Sequence, residues 1–233
     1  MGNTVYRAVS GSLAELKRLD VLANNLAHAD TPGFKADRLR FSEVMKDGRA
    51  TGHVDLPESR VDTSPGALRV TDNPLDLAIT GDGWFVVDAE GEQQLTRMGS
   101  FRRGANGALE TQGGHPVLSS SGEPLNLPDL PGQPISVSSS GEVRVGDQPV
   151  GSVFRARAAP DTLEKAGLGL FRTSGAIVHD PSVGLQQGVV EESNVNPVTS
   201  MTEIVTVQRH FDALQQALRS YREIDELSNR RLR

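Results

Sequence analysis

Five histidines, His28, His53, His115, His179 and His210, are the side chains of this chain best suited to metal binding or proton transfer. None stands at an HxH, HExxH or equivalent ligand spacing, so each is read as surface or packing and no metal site is expected. Gly81-Asp82-Gly83 resembles a cation loop, but the alternating acidic ladder of such loops is missing and a hairpin turn accounts for it better. The pairs Asp72/Asp76 and Glu191/Glu192 would suit a carboxylate hydrolase acting on glycan if each pair faced a cleft. With thirty acidic residues in the chain, chance pairs of solvated charges explain them equally well. Arg230, Arg231 and Arg233 could bind an anionic surface, or simply sit near the negative end of a helix. The absence of cysteine removes thiol catalysis, disulfides and Cys–zinc sites together. No phosphate-binding glycine loop and no GxSxG elbow occurs. The expectation is a protein without cofactor, not an enzyme.

Composition narrows the alternatives. The chain has 233 residues, a net charge of −6, 36% hydrophobic residues and 4% aromatics. That apolar share lies below the usual ~45–50%, and 24 Gly with 13 Pro argue against an all-helical bundle. The acidity, concentrated in the middle of the chain, argues against a general nucleic-acid binder. No run approaches the ~18 apolar residues needed to span a membrane, and the start has no basic-then-apolar signal-peptide pattern.

The elements that would position any site follow from periodicity. Val5, Val9, Leu13, Leu16, Leu19, Ala23 and Leu26 recur at spacings of three and four, which predicts one N-terminal helix ending at Asp30-Thr31-Pro32-Gly33. Asn194-Val195-Asn196-Pro197 predicts a second helix start, with Asn196 as cap and Pro197 in the first turn; Ser200-Met201-Thr202-Glu203 offers an alternative start. Ile204, Val207, Phe211, Leu214, Leu218 and Tyr221 then follow a 3-4-3-4-3 spacing, the pattern of a coiled-coil seam. Between the helices the period becomes two, at Leu75, Leu77 and Ile79, and then Trp84-Phe85-Val86-Val87. Turn signals recur through Glu90-Gly91, Asn106-Gly107, Ser121-Gly122 and Ser140-Gly141, separating short β-rich runs. The expected architecture is α+β: N- and C-terminal helices forming an antiparallel coiled-coil-like pair that flanks a central, mostly antiparallel β domain. The boundaries are an N-terminal helix over 1–35, an extended linker over 36–74, the β domain over 75–157, an irregular linker over 158–192 and a C-terminal helix over 193–233. Apolar stripes at both ends of a chain, outside its β core, are expected to pair with other copies.

Four segments carry a family resemblance. Leu22-Ala23-Asn24-Asn25-Leu26-Ala27-His28-Ala29-Asp30-Thr31-Pro32-Gly33-Phe34-Lys35 closely resembles the N-terminal signature of flagellar basal-body rod and hook proteins, with His28 where the family usually has an Asn-type residue. Asn73-Pro74-Leu75-Asp76-Leu77-Ala78-Ile79 with Gly81-Asp82-Gly83-Trp84-Phe85 resembles the opening of their central domain. Leu95-Thr96-Arg97-Met98-Gly99-Ser100-Phe101 with Gly114-His115-Pro116-Val117, and Gly188-Val189-Val190-Glu191-Glu192-Ser193-Asn194-Val195-Asn196-Pro197-Val198, continue it in the right order.

The resemblance implies an axial structural protein, exported by the flagellar type III apparatus without a cleaved signal and placed in the periplasmic rod. It further implies a helical tube with the terminal helices inside and the β domain outward. Its partners would be itself and other rod proteins, with no nucleic acid. The short linker between Phe41 and Asn73 and the overall length fit the proximal-rod type, with the distal-rod type as the alternative. An assembly interface is expected at Leu16, Leu19, Ala23, Asn24, Asn25, Leu26, Ile204, Val207, Phe211, Leu214, Leu218 and Tyr221. Structural turns are expected at Thr31, Pro32, Gly33, Phe34, Asn194, Asn196 and Pro197. Asn24 and Asn25 would fix helix register in a subunit contact, as a buried Asn does in coiled coils.

Overall fold

The computed structural model describes residues 2–40, 43–46, 49–54 and 58–230, and side chains over 9–40, 59–220 and at 223. The expectations for Val5, Tyr221, Arg230, Arg231 and Arg233 as side chains lie outside the described residues. The chain divides into two units, one made of Met1–Ala27, Asp37–Arg60 and Asn196–Arg233, the other of His28–Ala36 and Val61–Val195.

The first unit holds two long helices, α1 (Gly2–Ala27) and α2 (Pro197–Arg230), with short strands β1 (Asp37–Arg40), β2 (Glu43–Lys46), β3 (Arg49–Val54) and β4 (Glu58–Val61). β2 pairs antiparallel with β3, and β1 lies beside β4. A stretch without hydrophobic periodicity thus still forms strands, because ladder hydrogen bonds need only an extended backbone.

The two helices do not show the expected coiled-coil-like pairing. On α1, Val9, Leu13, Leu16 and Ala23 of the predicted stripe face solvent, with Leu13 50% and Leu16 42% exposed. The buried positions are instead Ser12, Val21, Leu22 and Asn25. On α2 only Val207 of the predicted seam is buried; Ile204, Phe211, Leu214 and Leu218 are half-buried. The contacts between the two helices include small and polar groups. A Cβ on Gly11 would lie 3.9 Å from Leu214 Cδ1, and Glu15 Oε1 stands 3.8 Å from His210 Nδ1. Among the described residues the apolar stripe of α1 is thus largely exposed, and a coiled-coil seam between the two helices is not formed by it.

The second unit is built of antiparallel strands: β5 (Leu68–Val70), β6 (Leu77–Thr80), β7 (Trp84–Ala89), β8 (Glu92–Thr96), β9 (Phe101–Arg103), β10 (Leu109–Thr111), β11 (Ile135–Val137), β12 (Glu142–Val145), β13 (Gln148–Ser152), β14 (Arg155–Ala156), β15 (Leu163–Gly167), β16 (Leu170–Thr173), β17 (Gly184–Gln187) and β18 (Val189–Glu191). Its centre is a five-stranded sheet in the order β14-β7-β8-β16-β15. The β7–β8 hairpin, registered Phe85 opposite Thr96 and Ala89 opposite Glu92, turns at Glu90-Gly91 with both residues left-handed (φ 59° and 84°). That is the primed turn whose twist matches the strands. β7 is apolar without alternation because both its faces are covered. Phe85 and Val87 join a core with Leu77, Phe101, Leu109, Val117 and Val153, while Trp84 and Val86 join another with Leu95, Leu118 and Phe171. Phe85 meets Phe101 edge-on at 5.1 Å and Trp84 meets Phe171 at 5.0 Å.

β17 pairs with β6, and β18 with β5. Strands therefore run through residues read from the sequence as an irregular connection, and they bury Leu163, Phe171, Leu185, Val189 and Val190. Arg155, on β14, is buried and donates to the Val183 and Ser140 carbonyls, tying two loops to that strand. No helix among the described residues is long and apolar enough to cross a membrane.

Candidate functional site

The segment after α1 and the segment before α2 meet within the β unit. After α1 the chain turns at once: Thr31 N donates to the His28 carbonyl (3.1 Å) and Phe34 N to the Thr31 carbonyl (3.2 Å). His28 Nδ1 lies 3.2 Å from Thr31 Oγ1, and its ring stacks on Phe34 at 4.8 Å, with the Lys165 ammonium 4.6 Å from the other ring's centre. Gly33 sits at φ 72°, and a Cβ there would come 2.3 Å from the Arg97 carbonyl oxygen. Only glycine satisfies both the left-handed backbone and that approach.

Glu191 then gathers three segments. Its main-chain carbonyl accepts from Gly33 N at 2.7 Å. Its Oε1 accepts from Lys35 Nζ (2.6 Å) and Gly66 N (2.8 Å), and its Oε2 from Arg97 Nη1 (3.1 Å). Lys35 Nζ also donates to the Ser64 carbonyl (2.7 Å), and Arg97 Nη2 to the Gly81 carbonyl (2.7 Å), with the guanidinium 5.4 Å over the Trp84 ring. Lys35, Arg97 and Glu191 are all buried, Glu191 with 2% of its surface exposed. Burial pushes the Lys35 ammonium below its usual pKa, and the hydrogen bond to Glu191 opposes that shift. Asn194 closes the junction. It accepts from Ala36 N (2.8 Å) and donates to the Asp62 and Ser64 carbonyls (2.9 and 3.1 Å), while its own N–H reaches the Phe34 carbonyl (3.4 Å).

Each charged head of this clasp is hydrogen-bonded to another of its members. A buried ion cluster adds little net stability compared with apolar packing, but it fixes one arrangement and is costly to break. Elsewhere His179 Nδ1 accepts from Arg155 N (3.3 Å), and its pKa is lowered by burial and then by the Arg155 charge. Among the described residues no group of three or more His, Asp or Glu could hold a metal ion.

The structure distributes the expected site residues over several settings. Asn25 donates to the Asp37 carbonyl and accepts from Asp37 N, both at 2.9 Å, so its side chain is engaged inside its own unit. Asn24 is exposed, as are Leu16 and Ala23, while Leu19 and Leu26 are half-buried. Asn196 Oδ1 accepts from Thr199 N (3.1 Å) and its carbonyl from Ser200 N (3.0 Å), with Pro197 first in α2, so the alternative start at Ser200 lies inside the helix. Thr31, Gly33, Phe34 and Asn194 come together at the clasp, with Pro32 half-buried between them. The residues that sequence reasoning missed as a group are Lys35, Ser64, Gly66, Arg97 and Glu191. Of the pair Glu191/Glu192, which the sequence leaves open between a carboxylate pair and solvated charges, Glu191 is buried and Glu192 is half-buried, in a 3.1 Å ion pair with Arg69. The available signal was Glu191 directly following Val189-Val190 on a short apolar run.

Comparison with known proteins bears on the whole chain. Residues 6–35 match the family described as flagella basal body rod protein, 78–145 the flagellar hook protein FlgE/F/G D1 domain, and 186–231 the flagellar basal body rod FlgEFG protein C-terminal region. The chain is 35% identical over 218 residues to the flagellar basal-body rod protein FlgF of Mesorhizobium japonicum, covering 91% of this chain and 90% of that relative. The chain belongs to the flagellar basal-body rod protein family. Within the family it is of the FlgF type: it is also 33% identical to FlgF of Salmonella typhimurium, covering 100% of this chain and 99% of the relative. It is 31% identical to the rod protein FlgG of Bacillus subtilis over 98% of this chain and 99% of that relative. Each of the three family segments contributes one charged member of the rod protein's clasp: Lys35, Arg97 and Glu191.

Proposed function

We propose that this rod-family chain is a structural subunit of the flagellar basal-body rod, built into it through its terminal helices. The observation that carries this reading is the outward apolar surface of those helices. Val9, Leu13 and Leu16 on α1, and Val198, Met201 and Val205 on α2, are all exposed. Isolated surface leucines need no explanation, but two apolar rows on long helices require cover. Other copies of the chain and other rod components supply it, and a contact that repeats without closing builds a helical array. The assembly surface thus comprises Leu16, Ala23 and Asn24, which are exposed, with Leu19, Leu26, Ile204, Phe211, Leu214 and Leu218 at its margins. The identity of 35% and 33% to FlgF relatives, against 31% to FlgG of Bacillus subtilis, supports the proximal rod as its position. Export through the flagellar type III apparatus without a cleaved signal, residence in the periplasmic part of the rod and transmission of torque complete the reading. The clasp supports it by joining the chain just after α1 to the chain just before α2, so that a pull on either end is carried into the β unit.

The test is Leu13→Asp combined with Leu16→Asp. Both positions are exposed, so each substitution should stay within about ±0.5 kcal/mol in folding stability. Swimming should be lost and the variant should be missing from purified basal bodies. Normal swimming by cells carrying the double variant would contradict the proposal.

A further inference from the structure

The β7–β8 hairpin ends in two complementary features. At one end a cleft of about 370 Å³ is lined by Thr63, Asp82, Trp84, Arg97, Arg157 and Pro160, among others. Arg97 lies at its inner wall with Nη1 and Nη2 in use and Nε buried and, among the described residues, without an acceptor. The carboxylate it binds, Glu191, is shared with Lys35, so two buried cations face one buried anion. Arg157 is exposed; it pairs through Nε with Asp180 (2.9 Å) and donates through Nη2 to Ser182 (3.1 Å), which leaves Nη1 without a partner among the described residues. Asp82, the acidic residue lining the cleft, is exposed to water.

At the other end is the Glu90-Gly91 turn. Asp88 Oδ1 is used by Gly91 N (2.8 Å) and Glu92 pairs with Arg172 (2.9 Å). Glu90 is exposed, and its carboxylate makes no hydrogen bond or ion pair among the described residues. It also holds φ 59°, where an L-residue other than Asn or Asp is disfavoured by about 1–2 kcal/mol. A glycine or asparagine would suit the turn better. A strained position thus presents an unused carboxylate at a projecting tip. Six residue steps along β7 separate Trp84 from Glu90, about 20 Å at ~3.3 Å per residue.

We propose that the Glu90 carboxylate of one copy seats in the Arg97–Arg157 cleft of a second copy of this chain. Guanidinium and carboxylate form strong, directional charge-assisted hydrogen bonds. Because the tip and the cleft lie at opposite ends of one hairpin, the contact is head-to-tail and leaves a free tip and a free cleft for further copies. This rests on the rod-subunit reading and deepens it by naming a self-contact made by the β unit.

The chain contains no cysteine, so engineered thiols report cleanly. Glu90→Cys and Thr63→Cys are placed singly and together in the full chain, in flagellated cells lacking their own copy, and purified basal bodies are oxidised. The proposal expects disulfide-linked dimers and higher species from the double variant and none from either single variant. Absence of linkage in a double variant that is present in basal bodies overturns it, and so does equal linkage by Glu90→Cys alone. If even the unaltered chain is missing from basal bodies, the rod-subunit reading falls and takes this contact with it. Charge exchange gives an independent arm that does not depend on thiol geometry. Glu90→Arg and Arg157→Glu should each reduce swimming at least two-fold, and the pair should restore it. Failure of the pair to exceed the single variants overturns the proposal.

Discussion

Replacing Glu191 by Gln removes the one negative charge of the clasp while keeping its size. The amide oxygen can still accept from Lys35 Nζ or Gly66 N, but the amide nitrogen then faces Arg97 Nη1, donor against donor. Lys35 and Arg97 would remain buried without a counter-charge, and removing one partner from a buried ion pair costs about 3–5 kcal/mol. For a unit of roughly this size each kcal/mol moves the thermal midpoint by about 2–4 °C, so the expected fall is about 6–20 °C. Glu192→Gln is the matched control, since its pair with Arg69 is solvent-exposed and such pairs contribute about 0–1 kcal/mol. Trp84 is the single tryptophan and lies against Arg97, so its fluorescence reports the unfolding of this unit directly. A midpoint for Glu191→Gln within about 2 °C of the unaltered protein, or no lower than that of Glu192→Gln, would refute the view that the clasp is energetically tight.

Two further outcomes follow from the geometry. The His179 pKa lies below its ordinary 6.5 because burial, and then the Arg155 charge, disfavour the protonated ring. The folded state therefore binds this proton more weakly than the unfolded chain, so its contribution is complete above 6.5 and is lost as pH falls below that value. His179→Asn should show a smaller drop in thermal midpoint between pH 7 and pH 5 than the unaltered protein; an equal drop would count against the assignment. Gly33→Ala should be far more damaging in urea unfolding than Gly81→Ala. Both have left-handed backbones, worth about 1–2 kcal/mol, but a Cβ meets the Arg97 carbonyl only at Gly33 and open space at Gly81. Equal midpoints would remove the steric argument.

Local chemistry was legible in the sequence where a residue acts on near neighbours. Asn196 and Pro197 start α2 because a cap and a first-turn proline need only the next three residues. Thr31-Pro32-Gly33 ends the first helical segment for the same reason, and Trp84-Phe85-Val86-Val87 marks a strand because both its faces are buried. The orientation of α1 was not legible. Its apolar stripe suggested a buried seam, yet Gly11 and Glu15 are on the side that meets α2, since small and polar residues can also make a helix contact. The clasp was hidden for a different reason. Lys35, Gly66, Arg97 and Glu191 are separated by tens of residues, and a buried charge looks like a solvated one until its partner is seen. Asn25 illustrates the same limit: its side chain bonds the Asp37 backbone twelve residues away, a use that spacing along α1 does not reveal.

The most direct test of the structural role is quantitative mass spectrometry of basal bodies purified from cells carrying or lacking this chain, with swimming scored in parallel. The account predicts the chain as a constituent of the rod fraction, incomplete rods in its absence and loss of motility. Intact rods and full motility without it, or a chain absent from basal bodies, would contradict the account.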